Sequence, residues 1–519
     1  MPRPKKTTKT KFTTAQQLSA LIKSARQILR KDKGLNGDAD RLPLLTWVMF
    51  LKFLDDLEQR HEEEAELDGK PYVPLIESPY RWRDWAGKPD GINGDELLAF
   101  INHDETTRPD GSRGAGLFAY LRAQGERGNH SGQRAVIANV FRGVQNRMVS
   151  GYLLRDILNK VNGIHFASSE EVHTLSHLYE SMLREMRDAA GDSGEFYTPR
   201  PVVRFMVEVT APQLGETVLD PACGTGGFLV GAYEYLKSQV KTPAQRRQLQ
   251  RETLYGQEAK PLPYMLAQMN LLLHGVESPQ ISYGNTLQQR LNEIGHAERV
   301  DVILTNPPFG GEEEAGIKAN FPPNLQTSET ALLFLQYVMR KLRVAGFGAD
   351  KGGRAAVVVP NGTLFDVGTV PALIKQHLLT EFNLHTIVRL PEGVFAPYTD
   401  IQANLLFFDR NGRTEDIWFY ELPQPEGRRK YTKTAPLQYE EFADCLAWWR
   451  DRKEGPHAWK TTAVEVEARG WNLDLKNPNA RQGLEHVEPA ELVARMRGHE
   501  AEVQKLLGQI EKLVSGVAR

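Results

Sequence analysis

Cysteine is nearly missing from this chain: Cys223 and Cys445 are the two thiols in 519 residues. Two thiols cannot build a disulfide framework or a zinc cluster, which fits a reducing compartment and argues against redox chemistry and against a bound metal. Long apolar runs are missing too. No stretch approaches the roughly eighteen uninterrupted apolar residues of a membrane span, and the opening MPRPKKTTKTKF is basic without the apolar core of a secretion signal. The expected setting is the cytoplasm, away from any membrane. Neither sign of charge is in excess: 64 Lys+Arg against 66 Asp+Glu give a net charge of −2, with a pI near 6.7. A protein that grips a long stretch of nucleic acid unaided normally carries a basic surplus, because phosphates must be neutralised. If DNA is the substrate, help from another chain is expected. The one locally basic stretch, Arg3, Lys5, Lys6, Lys9 and Lys11, reads either as a solvated tail or as a phosphate-binding arm. The phosphate-loop pattern G-x-x-x-x-G-K-[ST] is absent, so ATP-driven motion is not encoded in it, and neither a helix-turn-helix pattern nor an internal repeat is visible.

What is present is the composition of a globular chain, 40% hydrophobic and 25% charged, long enough for two or three domains. From Thr14 to Arg30, Leu18, Leu21, Ile22, Ala25, Ile28 and Leu29 recur at helical spacing. LPLLTWVMFLKFLDDLEQRHEEEAE predicts a second helix, apolar nearly all round at its start and therefore buried. The remainder to about residue 165 reads as helices joined by glycine-rich loops (GKPDGINGDE, RPDGSRGAG), without strands. SSEEVHTLSHLYESMLREMRDAA predicts a bridging helix, with Ser168 or Ser169 as its cap. After residue 200 short apolar runs (TVLD, TLYGQE, VDVILT, RAAVVVP, HTIVRLP, ANLLFFD) alternate with helical stretches, the pattern of an open, mostly parallel α/β sheet. Beyond Arg410 this pattern fades, and Leu492, Met496, Val503, Leu507, Ile510 and Val514 predict a last helix, docked on its own domain or on a partner. The expected organisation is a helical domain over 1–165, a catalytic α/β domain over 166–411, an extension over 412–480 and a C-terminal helix over 481–519.

Two strand ends carry the chemistry. In VLDPACGTGGFL (218–229) a strand runs through Asp220 into a glycine-rich turn and then a helix, so that small residues admit a ligand close to the backbone and the helix N-terminus faces it. Gly224, Gly226 and Gly227 do not follow the dinucleotide fingerprint, because Leu229 stands where its third glycine belongs; a nucleoside-type cofactor other than NAD is favoured. LYGQE ends in Glu258, placed like the acid that takes ribose hydroxyls in such sheets, and ISYGNTL brings Asn285 to another strand end. VDVILTNPPFG then stops a strand with Asn306, Pro307, Pro308 and Phe309. Thr198-Pro199 reads as a helix cap followed by proline in the first turn.

Asp-Pro-Ala-Cys-Gly-Thr-Gly-Gly, Glu258, Asn285 and Asn-Pro-Pro-Phe, in that order, resemble the motifs of amino-group DNA methyltransferases that use S-adenosylmethionine. GEFYTPRPVV (194–203), LPEGVFAPYTDIQANLLFF (390–408) and NLDLKNP (472–478) narrow the resemblance to the modification subunit of type I restriction-modification systems, over most of the chain. The resemblance implies a Rossmann-like methyltransferase sheet with an antiparallel return strand, an N-terminal helical domain and a C-terminal helical tail, with double-stranded DNA as the substrate. It implies cofactor contacts from Thr198 at the methionine end, Asp220 near the methionine ammonium, Gly224, Gly226, Glu258 at the ribose, and Asn285, where many relatives have aspartate, at the cofactor adenine. Phe228 could flank that adenine. It implies Asn306, Pro307, Pro308 and Phe309 as the catalytic group, with Phe395 and Tyr398 as further walls for a flipped base. It also implies partners: a specificity subunit that reads the site, a second modification subunit, and an ATP-dependent restriction subunit in the full complex.

Chemistry gives the Asn-Pro-Pro-Phe order a reason. An exocyclic adenine amine is a weak nucleophile because its lone pair is delocalised into the ring, and acceptors aimed at both N–H groups draw that pair out. The Asn306 side-chain oxygen and the Pro307 carbonyl are suited to this, the prolines hold the turn, and Phe309 can lie against the base. Other readings remain at this point: methylation of a protein glutamine amide, an inactive scaffold that keeps the sheet, and a nicotinamide dehydrogenase.

Overall fold

The structure, a computed structural model, describes residues 15–125, 132–164, 198–347, 350–396, 399–424, 427–432 and 434–479, with three isolated positions beyond. The basic opening residues, the bridging helix expected from Ser168 onward, Tyr398 and all of the last expected helix but those three positions lie outside this set. Among the described residues no helix is long and apolar enough to cross a membrane.

The first helix spans Ala15–Leu29 and the second Asp38–Leu67, each close to its expected range. In the second, Leu44, Leu45, Trp47, Val48, Met49 and Phe50 are all buried, so the apolar circumference at its start marks a helix enclosed by its neighbours. The domain is not purely helical. A short antiparallel hairpin pairs β1 (Glu105–Thr107) with β2 (Arg113–Ala115), in the segment expected to be loop. Three-residue strands are too short to show a period of two, and only their turn, with Gly111 at φ +82° and Asp110 accepting from the Ser112 N–H at 3.0 Å, was legible.

A buried cation pins this domain. Arg155 is 6% exposed and donates to the carbonyls of Ile92 (3.0 Å), Trp85 (3.0 Å), Lys88 (3.3 Å) and Ala86 (3.4 Å). Arg155→Met fills much of the same volume but strands those carbonyls, so it is expected to lower stability by about 3 kcal/mol, read as the urea midpoint of the full chain.

Among the described residues, the second half forms a nine-stranded sheet in the order β11-β10-β8-β9-β7-β6-β3-β4-β5. Its strands are β3 (Val218–Asp220), β4 (Leu254–Glu258), β5 (Gln280–Tyr283), β6 (Val302–Thr305), β7 (Arg354–Pro360), β8 (Asn383–Arg389), β9 (Ala403–Asp409), β10 (Asp416–Glu421) and β11 (Ala458–Thr462). β5, β4, β3, β6 and β7 run parallel, and β9 returns antiparallel between β7 and β8. This is the α/β methyltransferase sheet that the motifs implied, return strand included. The segment 412–480 is not a polar extension outside the sheet: β10 pairs parallel with β8, and β11 closes the edge antiparallel to β10. In AWKTT a tryptophan and a lysine sit among threonines, which masks an edge strand buried mainly on one face.

One helix joins the two halves. Pro261–Leu273 buries Met265, Leu266, Met269, Leu272 and Leu273 against the helical domain, and Ala267 and Leu271 against the sheet. Its all-round apolarity is that of a helix packed from both sides.

Candidate functional site

The chain leaves β3 toward β4 and β5 on one side, and later enters β6 and β7 on the other. The carboxyl ends of β3 and β6 therefore flank the point where the strand order reverses, the crevice in which open α/β sheets bind ligands. The glycine turn follows β3, Glu258 ends β4, Asn285 follows β5 and Asn306 follows β6. Four motifs dispersed over almost ninety residues thus arrive on one edge.

Gly224 (φ +52°) and Gly226 (φ +79°) both use the left-handed region, where a Cβ is strained, and Gly226 caps the helix Gly227–Lys237. The turn is tied to its neighbour strand: the Gly224 N–H donates to Glu258 Oε2 at 2.9 Å, and the Lys260 N–H to Oε1 at 2.8 Å. Glu258 thereby locks the loop, with each oxygen keeping a second lone pair for a ligand hydroxyl; burial raises its pKa, while these N–H groups oppose the rise.

Asp220 is 1% exposed. Its Oδ1 accepts from the Thr305 hydroxyl at 2.8 Å and from the Ala222 N–H at 3.2 Å. Burial pushes its carboxyl up to about 7, and the nearby Glu258 charge adds to the rise. Thr305, which the motifs do not single out, joins β3 to β6 at the crevice floor; a hydroxyl in the last position of a buried strand was its one sequence signal.

Asn306 is held from one side only. Its Nδ2 donates to Thr198 Oγ1 at 3.0 Å, while its Oδ1 is buried and has no partner among the described residues. Buried acceptors are ordinarily satisfied, so an orphan at a crevice marks an atom waiting for a donor. Thr198 itself does not cap the following helix: Pro199 is the cap residue of Arg200–Thr210, its carbonyl accepting from Val202 and Val203, and the Thr198 hydroxyl is used by Asn306 instead.

Asn285 accepts from the Leu287 N–H at 2.9 Å and so caps a short 3-10 turn, Thr286–Gln288, while its amide faces Glu313 at 3.5 Å. Phe228 is 3% exposed and packs in the sheet core. Phe395 is likewise 3% exposed and meets the half-buried Phe309 edge to face, centroids 5.5 Å apart. It stands behind Phe309 as a support. Phe395→Ala is expected to cost about 3 kcal/mol through the cavity it leaves, and to lower turnover more than cofactor affinity, which thermal melts and titration calorimetry can separate.

Comparison with known proteins follows the same lines. A family model described as N-6 DNA Methylase matches residues 170–486, and one described as HsdM N-terminal domain matches residues 18–110. The chain belongs to the N-6 DNA methylase family. The Type I restriction enzyme EcoEI methylase subunit of Escherichia coli is 45% identical over 506 residues, covering 96% of this chain and 97% of that one. The StySPI methylase subunit of Salmonella potsdam is 32% identical over 406 residues, covering 73% of this chain and 66% of that one. Among solved structures, a modification subunit of a putative type I restriction enzyme from Vibrio vulnificus YJ016 superposes with a TM-score of 0.86 at 66% identity, covering 92% of this chain and 100% of that one. A chain from a structural study of type I R-M complex assembly gives 0.70 at 40% identity, covering 97% and 99%. As an N-6 DNA methylase similar to type I methylase subunits along almost its whole length, the chain is a restriction-modification methyltransferase with the fold to match.

Proposed function

We propose that this N-6 DNA methylase transfers the methyl group of S-adenosylmethionine to the N6 amine of adenine in double-stranded DNA, through the crevice between β3 and β6. The observation that carries this reading is the buried Oδ1 of Asn306, without a partner among the described residues, aimed by Thr198 and placed at the switch point of the sheet.

The residues fit the cofactor. Gly224 and Gly226 let the turn take its left-handed course, Glu258 keeps free lone pairs beside the turn, and Asp220 offers a carboxyl at the crevice floor for an ammonium group. When bound, the cofactor supplies an activated methyl on a sulfonium. Everything else is positioning by this chain. A base inside a duplex cannot reach the crevice, so the adenine leaves the stack and enters it. Asn306 Oδ1 takes one N6 proton as a hydrogen-bond donor, the Pro307 carbonyl takes the other, and Phe309, supported by Phe395, lies on the ring face. With both N–H groups engaged, the amine lone pair turns out of the ring plane toward the methyl. A displacement of this kind asks for alignment more than for acid-base strength, and neutral groups suit an amine that becomes briefly cationic.

Sequence reading of DNA is delegated. The near-neutral charge and the absence of a recognition pattern in the sequence support a separate specificity subunit, flanked by two copies of this chain, with an ATP-dependent restriction subunit in the complete assembly, working in the cytoplasm. Nucleoside mass spectrometry on DNA from cells lacking native methylases tests this, with the chain expressed alone and with the products of its neighbouring genes. N6-methyladenine only in the second case is expected. Methylation by the chain alone would mean that it reads DNA itself, and none in either case would move the substrate to a protein amide.

A further inference from the structure

β7 outruns β6 at the catalytic edge. Thr305, the last residue of β6, pairs with Val357, and β7 continues through Val358, Val359 and Pro360 before the chain turns at Asn361. At about 3.3 Å per residue, the end of β7 stands roughly 10 Å past the level of Thr305. The glycine turn and Glu258 occupy the opposite flank of β6. A methyl donor held on that flank leaves the β7 side for the base, whose ring extends from N6 along this projecting wall.

Asn361 is fixed at the top of the wall. Its N–H donates to the Gln402 carbonyl at 2.9 Å, and its Oδ1 accepts from Asn404 Nδ2 at 3.2 Å. Asn404 is 1% exposed and sits in β9 opposite Val359, between Ala403 and Leu405 in a strand that is otherwise apolar until its last residue. A carboxamide in that place is unfavourable unless it is paired, and its pairing sets the direction of Asn361. With its oxygen engaged, Asn361 has its NH2 left to offer at a half-exposed edge, and that NH2 has no partner among the described residues. Asn306 and Pro307 offer the base acceptors only; the ring nitrogens of adenine are acceptors themselves and require a donor.

We infer that Asn361, aimed by Asn404, donates a hydrogen bond to a ring nitrogen of the flipped adenine and so takes part in choosing the target base. This inference rests on the methyl-transfer reading. The test uses the chain assembled with its DNA-reading partner and duplexes in which the target is adenine, 1-deaza-, 3-deaza- or 7-deazaadenine. One analogue is expected to lower kcat/KM of the wild type about tenfold, the loss of one hydrogen bond. Asn361→Ala and the near-isosteric Asn361→Asp, which lacks the NH2, are expected to lose a similar factor on adenine, to lose nothing more on that analogue, and to bind S-adenosylmethionine as before. Asn404→Ala reproduces this pattern if its part is to aim Asn361; a lower melting temperature with the analogue preference intact would overturn that part. Equal use of all four bases by the wild type, or losses that multiply in the Asn361 variants, would overturn the inference. A wild type that methylates no adenine in any duplex would instead bring down the reading on which it rests.

Discussion

Asn306→Ala is expected to abolish measurable methyl transfer, a loss of at least about a thousandfold, while S-adenosylmethionine affinity stays within a few-fold of wild type. The split follows from geometry. The Asn306 side chain is hydrogen-bonded through its Nδ2, to Thr198, and its buried Oδ1 has no partner among the described residues; the glycine turn and Glu258 hold each other without it. On the proposed function, removing the carboxamide deletes the acceptor for the target amine and leaves the cofactor turn intact. Asn306→Asp sharpens the test: it keeps an acceptor, and the Thr198 hydroxyl can donate to it in place of the lost amide, so residual activity above that of the alanine variant is expected. Single-turnover methylation beside calorimetric cofactor binding reads both quantities. Loss of cofactor binding together with activity in Asn306→Ala would strip Asn306 of its role as the acceptor for the target amine.

The strands that build the crevice were legible because each is a short apolar run cut off by glycine, proline or an acid, and because a parallel sheet buried on both faces needs such runs. VILT and RAAVVVP are buried almost throughout, and the motifs at their ends stand out for that reason. β10 and β11 were not legible: DIWFYE and AWKTT carry charge and tryptophan in positions that become strand only when β8 supplies a partner for β10 and β10 one for β11. The site divides in the same way. Turn chemistry is local, so Asp220, the glycines, Glu258 and Asn306 could be named in advance. Contacts created by strand register could not: Thr305 meets Asp220 across 85 residues, and Asn404 meets Asn361 across 43. Thr198 reads as a helix cap from sequence, which the structure overturns: Pro199 holds the cap position, and only the fold gives the Thr198 hydroxyl to Asn306 across 108 residues.

Asp220→Asn is the second substitution with a large expected effect, and its two consequences have opposite signs. In the folded chain the Asp220 carboxyl is raised from its ordinary 3.8 to about 7, chiefly by burial. Below the ordinary value the group is protonated whether the chain is folded or not, so it then adds no pH dependence. Between the two values the unfolded chain has lost this proton and the folded chain has not, so stability falls as pH rises through that window. About three pKa units correspond to a loss on the order of 4 kcal/mol, complete above pH 7. Asparagine cannot ionise and still accepts from Thr305 and Ala222, so the unliganded variant is expected to match wild type near pH 4 and to exceed it progressively toward pH 8, as urea melts across that range would show. Cofactor binding should move the other way. A methionine ammonium beside Asp220 favours the carboxylate, so wild-type binding releases up to one proton and tightens with rising pH until near 7; the variant binds more weakly, with that slope gone. Identical pH slopes for cofactor affinity in the two proteins would place the ammonium elsewhere. On the proposed function, an acid kept beneath the glycine turn where an amide would relieve its burial is held for a ligand whose charge completes the site.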